Sequence, residues 1–309
     1  MDFQITGKFK SADGISDIAY YILRPKGEVK GVIQLSHGMC EYFRRYDEFS
    51  GFMNRNGIAV VGNDHLGHGG SVKSKEDLGW MAEKDGWKFA VKDLYTMTCI
   101  AKKEFPHKPY VIFGHSMGSF MTRAYLSDYS EKVNGAIICG TGGKNNLLGI
   151  GIILSWIITK ICGQKYRSKL IDNLTFGRYC NKLKCAISKK EWLSRDKETV
   201  DEYVSNSYCH FIFTASAFYD LFCVNRFVNS KKWASSIKAQ IPIFMISGDM
   251  DPVGDYGEGV KWVHNQLVKA DKNVKLKLYS NARHELLNEV NKEMVYEEIL
   301  HWMNTKVLN

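Results

Sequence analysis

Tyr110-Val111-Ile112-Phe113-Gly114-His115-Ser116-Met117-Gly118-Ser119 is the stretch on which the fold of this 309-residue chain turns. Four apolar, β-branched or aromatic residues predict a buried strand, and a helix is expected to open near Ser119 and run to about Asp128. Between them lies Gly-His-Ser-Met-Gly. A G-x-S-x-G pattern set between a strand and a helix reads as a nucleophile elbow, with Ser116 at the tip of a tight, strained turn. The glycines two residues to either side are required because strand and helix backbones approach closely there.

Outward from this stretch the chain alternates. Phe3–Lys10 and Ile15–Leu23 flank Ala12-Asp13-Gly14 and predict a β-hairpin. Gly31–Ser36 reads as a short apolar strand ending in His37-Gly38-Met39. A helix is expected over 41–56, a strand over Ile58–Gly62, and then a glycine-rich loop, Asn63 to Ser71. Residues from about Glu83 to Glu104 predict a helix, closed by Phe105-Pro106. Gly135–Cys139 reads as a further buried strand. Beyond it the rhythm changes, and 141–240 is helical, Lys-rich and aromatic. Alternation then resumes with a strand at Pro242–Ser247, a helix at Gly257–Lys269, a strand at Val274–Tyr279 and a closing helix at Asn291–Asn304. A hairpin followed by alternating strands and helices predicts an α/β fold: about eight strands in a mostly parallel sheet with helices on both faces. Residues 1–140 and 241–309 form its core, and 141–240 is a helical insertion placed over the carboxyl ends of the strands, where open α/β sheets bind ligands.

Composition narrows the function classes. Hydrophobic residues make up 45% and charged residues 24%, as in an ordinary globular domain and unlike a disordered or membrane-spanning chain. Net charge is +9, but the basic residues are scattered, which reads as a solvated surface and not as a nucleic-acid footprint. The chain has eight Cys and no C-x-x-C pair, so a zinc ribbon or redox motif is not expected. Several Cys sit in apolar runs, which fits a reducing cytoplasm. No basic segment followed by an apolar core opens the chain, so a signal peptide is not expected.

A Ser hydroxyl attacks a carbonyl only with a base beside it and an acid orienting that base. In this topology the order along the chain is Ser, acid, His. His210, His264, His284 and His301 follow Ser116. His264 and His301 fall in predicted helices and His210 in the insertion. His284 follows the strand Val274–Tyr279, at the carboxyl end of a late core strand, and is the expected base. The acid should follow Pro242–Ser247, where Asp249, Asp251 and Asp255 compete; spacing favours Asp251 over Asp249, with Asp255 third. Two backbone donors are expected for the oxyanion: the N–H of Met117, after the nucleophile, and the N–H of Met39, in the loop after Gly31–Ser36. His37 reads as a brace, and His65 and His68 as structural.

Ser-His-Gly-Met at 36–39, Asp-His-x-Gly-His-Gly-x-Ser at 64–71, Gly-His-Ser-Met-Gly at 114–118, Gly-x-x-Asp at 248–251 and Ala-Arg-His-Glu at 282–285 occur together and in order. In this the chain resembles the α/β-hydrolase superfamily. It is similar in particular to the monoacylglycerol lipase and lysophospholipase-like group, often placed with the serine aminopeptidases. The resemblance covers roughly 3–140 and 240–305. It implies Ser116 as nucleophile, Asp251 as acid, His284 as base and the Met39 and Met117 amides as oxyanion hole, with no metal or organic cofactor. Ser119 departs from the family, which often carries a second Gly there.

The insertion bears on substrate. Leu147 to Ile158 is almost unbroken apolar sequence, shorter than the ~18 residues of a membrane span. It predicts a cap helix, either buried against the core or facing lipid. Tyr208 to Phe222 is a second aromatic run expected to be helical. Trp156, Phe211 and Phe218 are candidates to line an apolar pocket. Asp196, Glu198, Asp201 and Glu202 are the acidic residues that could hold a peptide's free amine. The expected activity is hydrolysis of small lipid-like carboxylic esters, with transient contact between the cap and a membrane surface. Peptidase, thioesterase and carbon–carbon hydrolase are the rival reactions on such a scaffold. A catalytically silent binding protein fits poorly with an intact Ser, Asp and His.

Overall fold

The structure, a computed structural model, describes residues 4–183 and 189–308. Phe3 of the expected hairpin and Cys185 lie outside the described residues. The hairpin forms from β1 (Gln4–Lys10) and β2 (Asp17–Leu23), paired antiparallel from Gln4–Leu23 to Lys10–Asp17. Asp13 shapes its loop by accepting the amides of Ile15 (2.7 Å) and Ser16 (2.8 Å). Then come β3 (Gly31–Ser36), α1 (Asp47–Arg55), β4 (Ile58–Asn63), α2 (Gly86–Glu104), β5 (Tyr110–His115), α3 (Met117–Tyr129) and β6 (Gly135–Cys139). Between β6 and the next strand lie α4 (Leu148–Cys162), α5 (Lys169–Phe176), α6 (Lys197–Ser205), α7 (Ala215–Val228) and the short α8 (Trp233–Ser236). The chain closes with β7 (Ile243–Gly248), α9 (Glu258–Lys269), β8 (Val274–Tyr279) and α10 (Lys292–Lys306).

The eight strands form one sheet in the order β1-β2-β4-β3-β5-β6-β7-β8, parallel from β4 onward. β3 to β7 are buried along their length, as strands covered on both faces must be. Their side chains alternate between two cores. Tyr110 and Ile112 of β5, with Ile243 and Met245 of β7, join the core that includes α2, α3 and α9. Val111, Phe113, Phe244 and Ile246 join the core that includes α1 and α10. Each such buried side chain contributes about 1.5–3 kcal/mol of transfer free energy. The chain leaves β3 for one edge and returns at β5 on the other side. The β3/β5 crevice is therefore the topological switch point, where open α/β sheets bind their ligands.

Two sequence expectations need correction. The helix expected over 41–56 is split into a 3-10 turn, Phe43–Tyr46, and α1. Its first residues are drawn inward instead: the Phe43 amide donates to Asp64 (2.8 Å), and Glu41 accepts the Gly38 amide (2.5 Å). The aromatic run from Tyr208 is helical only from Ala215. Thr214 caps α7 by accepting the Ala217 amide (3.3 Å), and His210 stands at φ 51°, which a helix excludes.

α4 spans the apolar run but buries little of it. Ile152 and Ser155 are buried, whereas Leu147, Ile150, Ile153 and Ile161 are each at least 60% exposed. α7, by contrast, packs against α2, α3 and α4. Arg123 of α3, fully buried, ties down both ends of this helical region. Its guanidinium donates to the carbonyls of Gly142 (3.0 Å) and Val228 (2.6 Å) and lies over the Trp233 ring (4.3 Å). Burial without a carboxylate partner lowers its pKa to about 9.

Candidate active site

Ser116 stands between β5 and α3 at φ 53°, ψ −120°, a conformation that L-residues rarely adopt. The turn is tight enough to dictate its neighbours. A Cβ at Gly118 would overlap the carbonyl oxygens of Ser36 and His37, and one at Gly114 would overlap Gly118. The Ser116 amide is fixed to Cys139 O (3.0 Å). Ser119, the departure from the family pattern, donates its hydroxyl to the Ser116 carbonyl (2.5 Å).

His284 reaches the same place from the loop after β8. A Cβ on Gly140, at the end of β6, would sit 3.1 Å from its ring. Its ring also lies 4.7 Å from that of His115, the residue before Ser116. His284 Nδ1 is 2.9 Å from Asp251 Oδ2, and both residues are buried. An ionised carboxylate only accepts, so Nδ1 carries the proton and Nε2 offers its lone pair. Asp251 is held in turn by the Val253 amide (2.9 Å) and the Ser247 hydroxyl (3.3 Å). Asp249 points elsewhere and accepts the Asn281 amide (2.7 Å). Asp255 is exposed. Of the three carboxylates, Asp251 is the one joined to His284.

The loop after β3 closes the other side. A Cβ at Gly38 would come 3.1 Å from Ser116 Cβ. Three backbone groups of this loop are held by side chains. The Gly38 amide donates to Glu41 (2.5 Å), the Gly38 carbonyl accepts from His37 Nδ1 (2.8 Å), and the Cys40 amide donates to His68 Nε2 (3.3 Å). Cys40 holds a left-handed conformation, φ 57°, and its thiol donates to Phe211 O (3.0 Å). The amides of Met39 and Met117 have no protein acceptor among the described residues. Met117 is the first residue of α3, where the helix leaves its N–H groups free and carries its positive end.

His37, His65 and His68 form a buried cluster that braces this loop. His37 Nε2 accepts the His65 amide (3.0 Å), and His65 Nε2 faces the Ser36 hydroxyl (3.1 Å). Burial holds all three imidazoles below their ordinary range, to about 3 for His68, so they are neutral. Beside them runs a charged network that the sequence reading did not single out. Glu41 binds Tyr46 (2.9 Å), Arg45 (2.9 Å) and His115 Nδ1 (3.0 Å), and Arg45 makes a bidentate pair with Glu285 (2.7 and 2.8 Å). Burial alone would raise both carboxyls. His115 and Arg45 more than offset it at Glu41, and Arg45 at Glu285, so both remain ionised.

The insertion supplies a wall. The Trp192 ring lies 5.1 Å from the His284 imidazole, with Tyr179 (5.0 Å) and Phe176 (6.3 Å) against its own. Phe218 is buried and continues the series beside Phe176. Phe211 is half-buried next to His68 (5.6 Å). Trp156 is half exposed on α4, and no ring contact among the described residues ties it to the site. Trp192, Tyr179 and Phe176 went unread because only long-range packing brings them to His284. Of the four acidic residues singled out in the sequence, Asp196 caps α6, Asp201 pairs with Lys197 (2.6 Å), and Glu198 and Glu202 are exposed. No His, Cys, Asp or Glu cluster suited to a metal occurs among the described residues.

With this geometry in hand, comparison with known proteins is specific. The family described as serine aminopeptidase, S33, matches residues 27–291. A monoacylglycerol lipase of Mycolicibacterium smegmatis is 25% identical over 93% of this chain and 92% of its own length. A monoglyceride lipase of Rattus norvegicus is 27% identical over 92% of this chain and 84% of its own. A thermostable carboxyl esterase from Bacillus coagulans, solved with glycerol, superposes with a TM-score of 0.93 at 27% identity, covering 99% of both chains. The eight-stranded sheet, its switch-point crevice and the family match over most of the length agree: the chain belongs to the serine aminopeptidase S33 family of α/β-hydrolases.

Proposed function

We propose that this chain is a serine hydrolase that cleaves carboxylic esters of lipid-like substrates, monoacylglycerols or lysophospholipids, through an acyl-enzyme. One observation carries the reading: a strained Ser116 shares the carboxyl end of the sheet with a His284–Asp251 pair at 2.9 Å and two backbone amides without acceptors among the described residues. Ser116 Oγ attacks the ester carbonyl as His284 Nε2 takes its proton. Asp251 holds the tautomer that makes this possible and stabilises the imidazolium. The Met39 and Met117 amides receive the oxyanion. His284 then protonates the leaving alcohol, and a water activated by the same imidazole releases the acid.

In this reading 1–140 and 241–309 are the catalytic core and 141–240 is a cap that selects substrate. Phe211 and Phe218, with Trp192, line the apolar side, and Trp156 stands nearer the surface. The exposed face of α4 docks transiently on a lipid surface, where apolar side chains enter the headgroup boundary. Engagement of Asp196 as the α6 cap and of Asp201 with Lys197, with Glu198 and Glu202 exposed, favours esters over peptides with a free amine. Residence in the cytoplasm fits the seven described cysteines, all free thiols. Among the described residues no helix is long and apolar enough to cross a membrane.

Labelling with a fluorophosphonate, mapped by peptide mass spectrometry, tests the reading. The adduct is expected on Ser116 and absent from Ser116→Ala. Labelling of that variant at another serine would move the nucleophile and overturn it.

A further inference from the structure

The loop that carries His284 is held from the insertion side, not from the core alone. Two backbone bonds join them: the His284 amide donates to Trp192 O (3.3 Å) and the Glu285 amide to Leu193 O (2.7 Å). Side chains then cross in both directions. Arg283 donates to the carbonyls of Glu191 (2.6 Å) and Ser194 (2.9 Å). Arg195 reaches back to Glu289 (2.8 Å) and Asn291 (2.7 Å). Glu289 is fully buried and also accepts the Arg283 amide (2.8 Å), so one carboxylate ties the insertion to the His284 loop. The Ser194 hydroxyl adds a bond to Asn288 O (2.8 Å). The product of this stitching is the contact between Trp192 and His284, made by a side chain only 7% exposed.

A single hydrogen bond to Asp251 fixes one corner of the imidazole and leaves it free to tilt about that bond. The Trp192 ring, 5.1 Å away and tilted 44° to the imidazole, faces that motion from the insertion, as His115 at 4.7 Å does from the core. We infer that the segment 191–195 is a positioning element for His284: Arg283, Arg195 and Glu289 hold the segment, and Trp192 sets the plane of the imidazole. The inference rests on the proposed role of His284 as base. It means that the insertion serves the chemistry on every substrate as well as selecting among them. Each of these is a positioning residue, acting through His284.

The test compares Arg283→Ala, Arg283→Lys, Trp192→Leu and Trp192→Phe on a butyrate and a laurate p-nitrophenyl ester. Misplacing a reacting group by an ångström costs on the order of 100-fold, so Arg283→Ala and Trp192→Leu are expected to lower kcat about 10- to 100-fold on both esters, with KM within about two-fold. The fluorophosphonate labelling rate should fall in step. The downfield proton resonance of His284 Nδ1 should broaden or vanish. Arg283→Lys and Trp192→Phe should recover most of the loss. Circular dichroism checks folding, and where Arg283→Ala does not fold, the Trp192 pair carries the test. If kcat and labelling rate are unchanged in folded variants, or only KM for the laurate rises, the inference is wrong and Trp192 is a pocket wall alone. Ser116→Ala separates the two readings. Labelling that survives it removes the base role of His284 and this inference together. Loss of labelling there, with full kcat in the Arg283 and Trp192 variants, removes the inference only.

Discussion

The two sides of the crevice are built by different means. On the β3 side, His37, His68 and the Glu41 carboxylate hold the Gly38 amide and carbonyl and the Cys40 amide, with His65 tied to His37 behind them. On the insertion side, the Trp192 ring meets His284 at a tilt with Tyr179 packed behind it, and α4 leaves a row of isoleucines in solvent. The first side is a scaffold of directional bonds, which holds the Met39 amide at one position. The second is a surface of shape and apolar area. The contrast teaches that the crevice is positioned in two ways: by side chains bonded to the Gly38 loop on one side, and by a ring carried on the hydrogen-bonded segment 191–195 on the other.

The sharpest break in this contrast is at the acid. Asp251→Asn leaves His284 with the wrong tautomer and is expected to lower kcat about 10⁴-fold, whereas Asp249→Asn should stay within a few-fold, since Asp249 serves only the Asn281 amide. Steady-state kinetics of the two variants decide it, and the reverse order would sink the assignment.

Next in size is an acid sensitivity that belongs to the bonded side. His37, His65 and His68 have folded-state pKa values below the ordinary 6.5, with His68 at about 3. The unfolded chain therefore takes up protons that the folded one refuses. Their contribution to stability is complete above pH 6.5 and is lost as the pH falls from there toward 3. Asp93 and Asp220 run the other way, because burial raises them to about 6 and about 7 and favours the folded state as pH drops. The imidazole contribution is isolated by comparison with His68→Gln. Between pH 6.5 and 5 the slope of stability against pH should be shallower in that variant by up to about 1.4 kcal/mol per pH unit. Parallel slopes in urea unfolding would show that His68 is not the buried neutral group described.

The smallest effect is expected on the apolar side. Ile150→Glu with Ile153→Glu changes two side chains that are 63% and 60% exposed, so folding and turnover of a water-soluble ester should hardly move. Cosedimentation with phosphatidylcholine vesicles should drop by several-fold. Unchanged cosedimentation would remove α4 from the membrane-docking reading.

How much of this was legible in the sequence follows the same division. Ser116 could be read because an elbow needs its glycines within two residues, a local signal. His284 could be read because the topology places it after a late strand. Spacing favoured Asp251 over Asp249, but the loop geometry that turns one toward His284 and the other toward Asn281 is tertiary. Trp192, Tyr179 and Phe176 were invisible, since aromatics in a helical insertion look alike until packing selects them. The misread start of α7 was different: Thr214 followed by Ala-Ser-Ala is a capping signal that the aromatic run before it obscured.

The account stands most directly on the ratio of kcat/KM between an ester and an amide of comparable size. Monoacylglycerols and lysophospholipids of stepped acyl length would be measured beside an aminoacyl p-nitroanilide. The account predicts turnover of the esters, rising with acyl length, and an amide rate at least about 100-fold lower, a difference of ~2.7 kcal/mol in transition-state binding. An amide turned over as well as the best ester would contradict it.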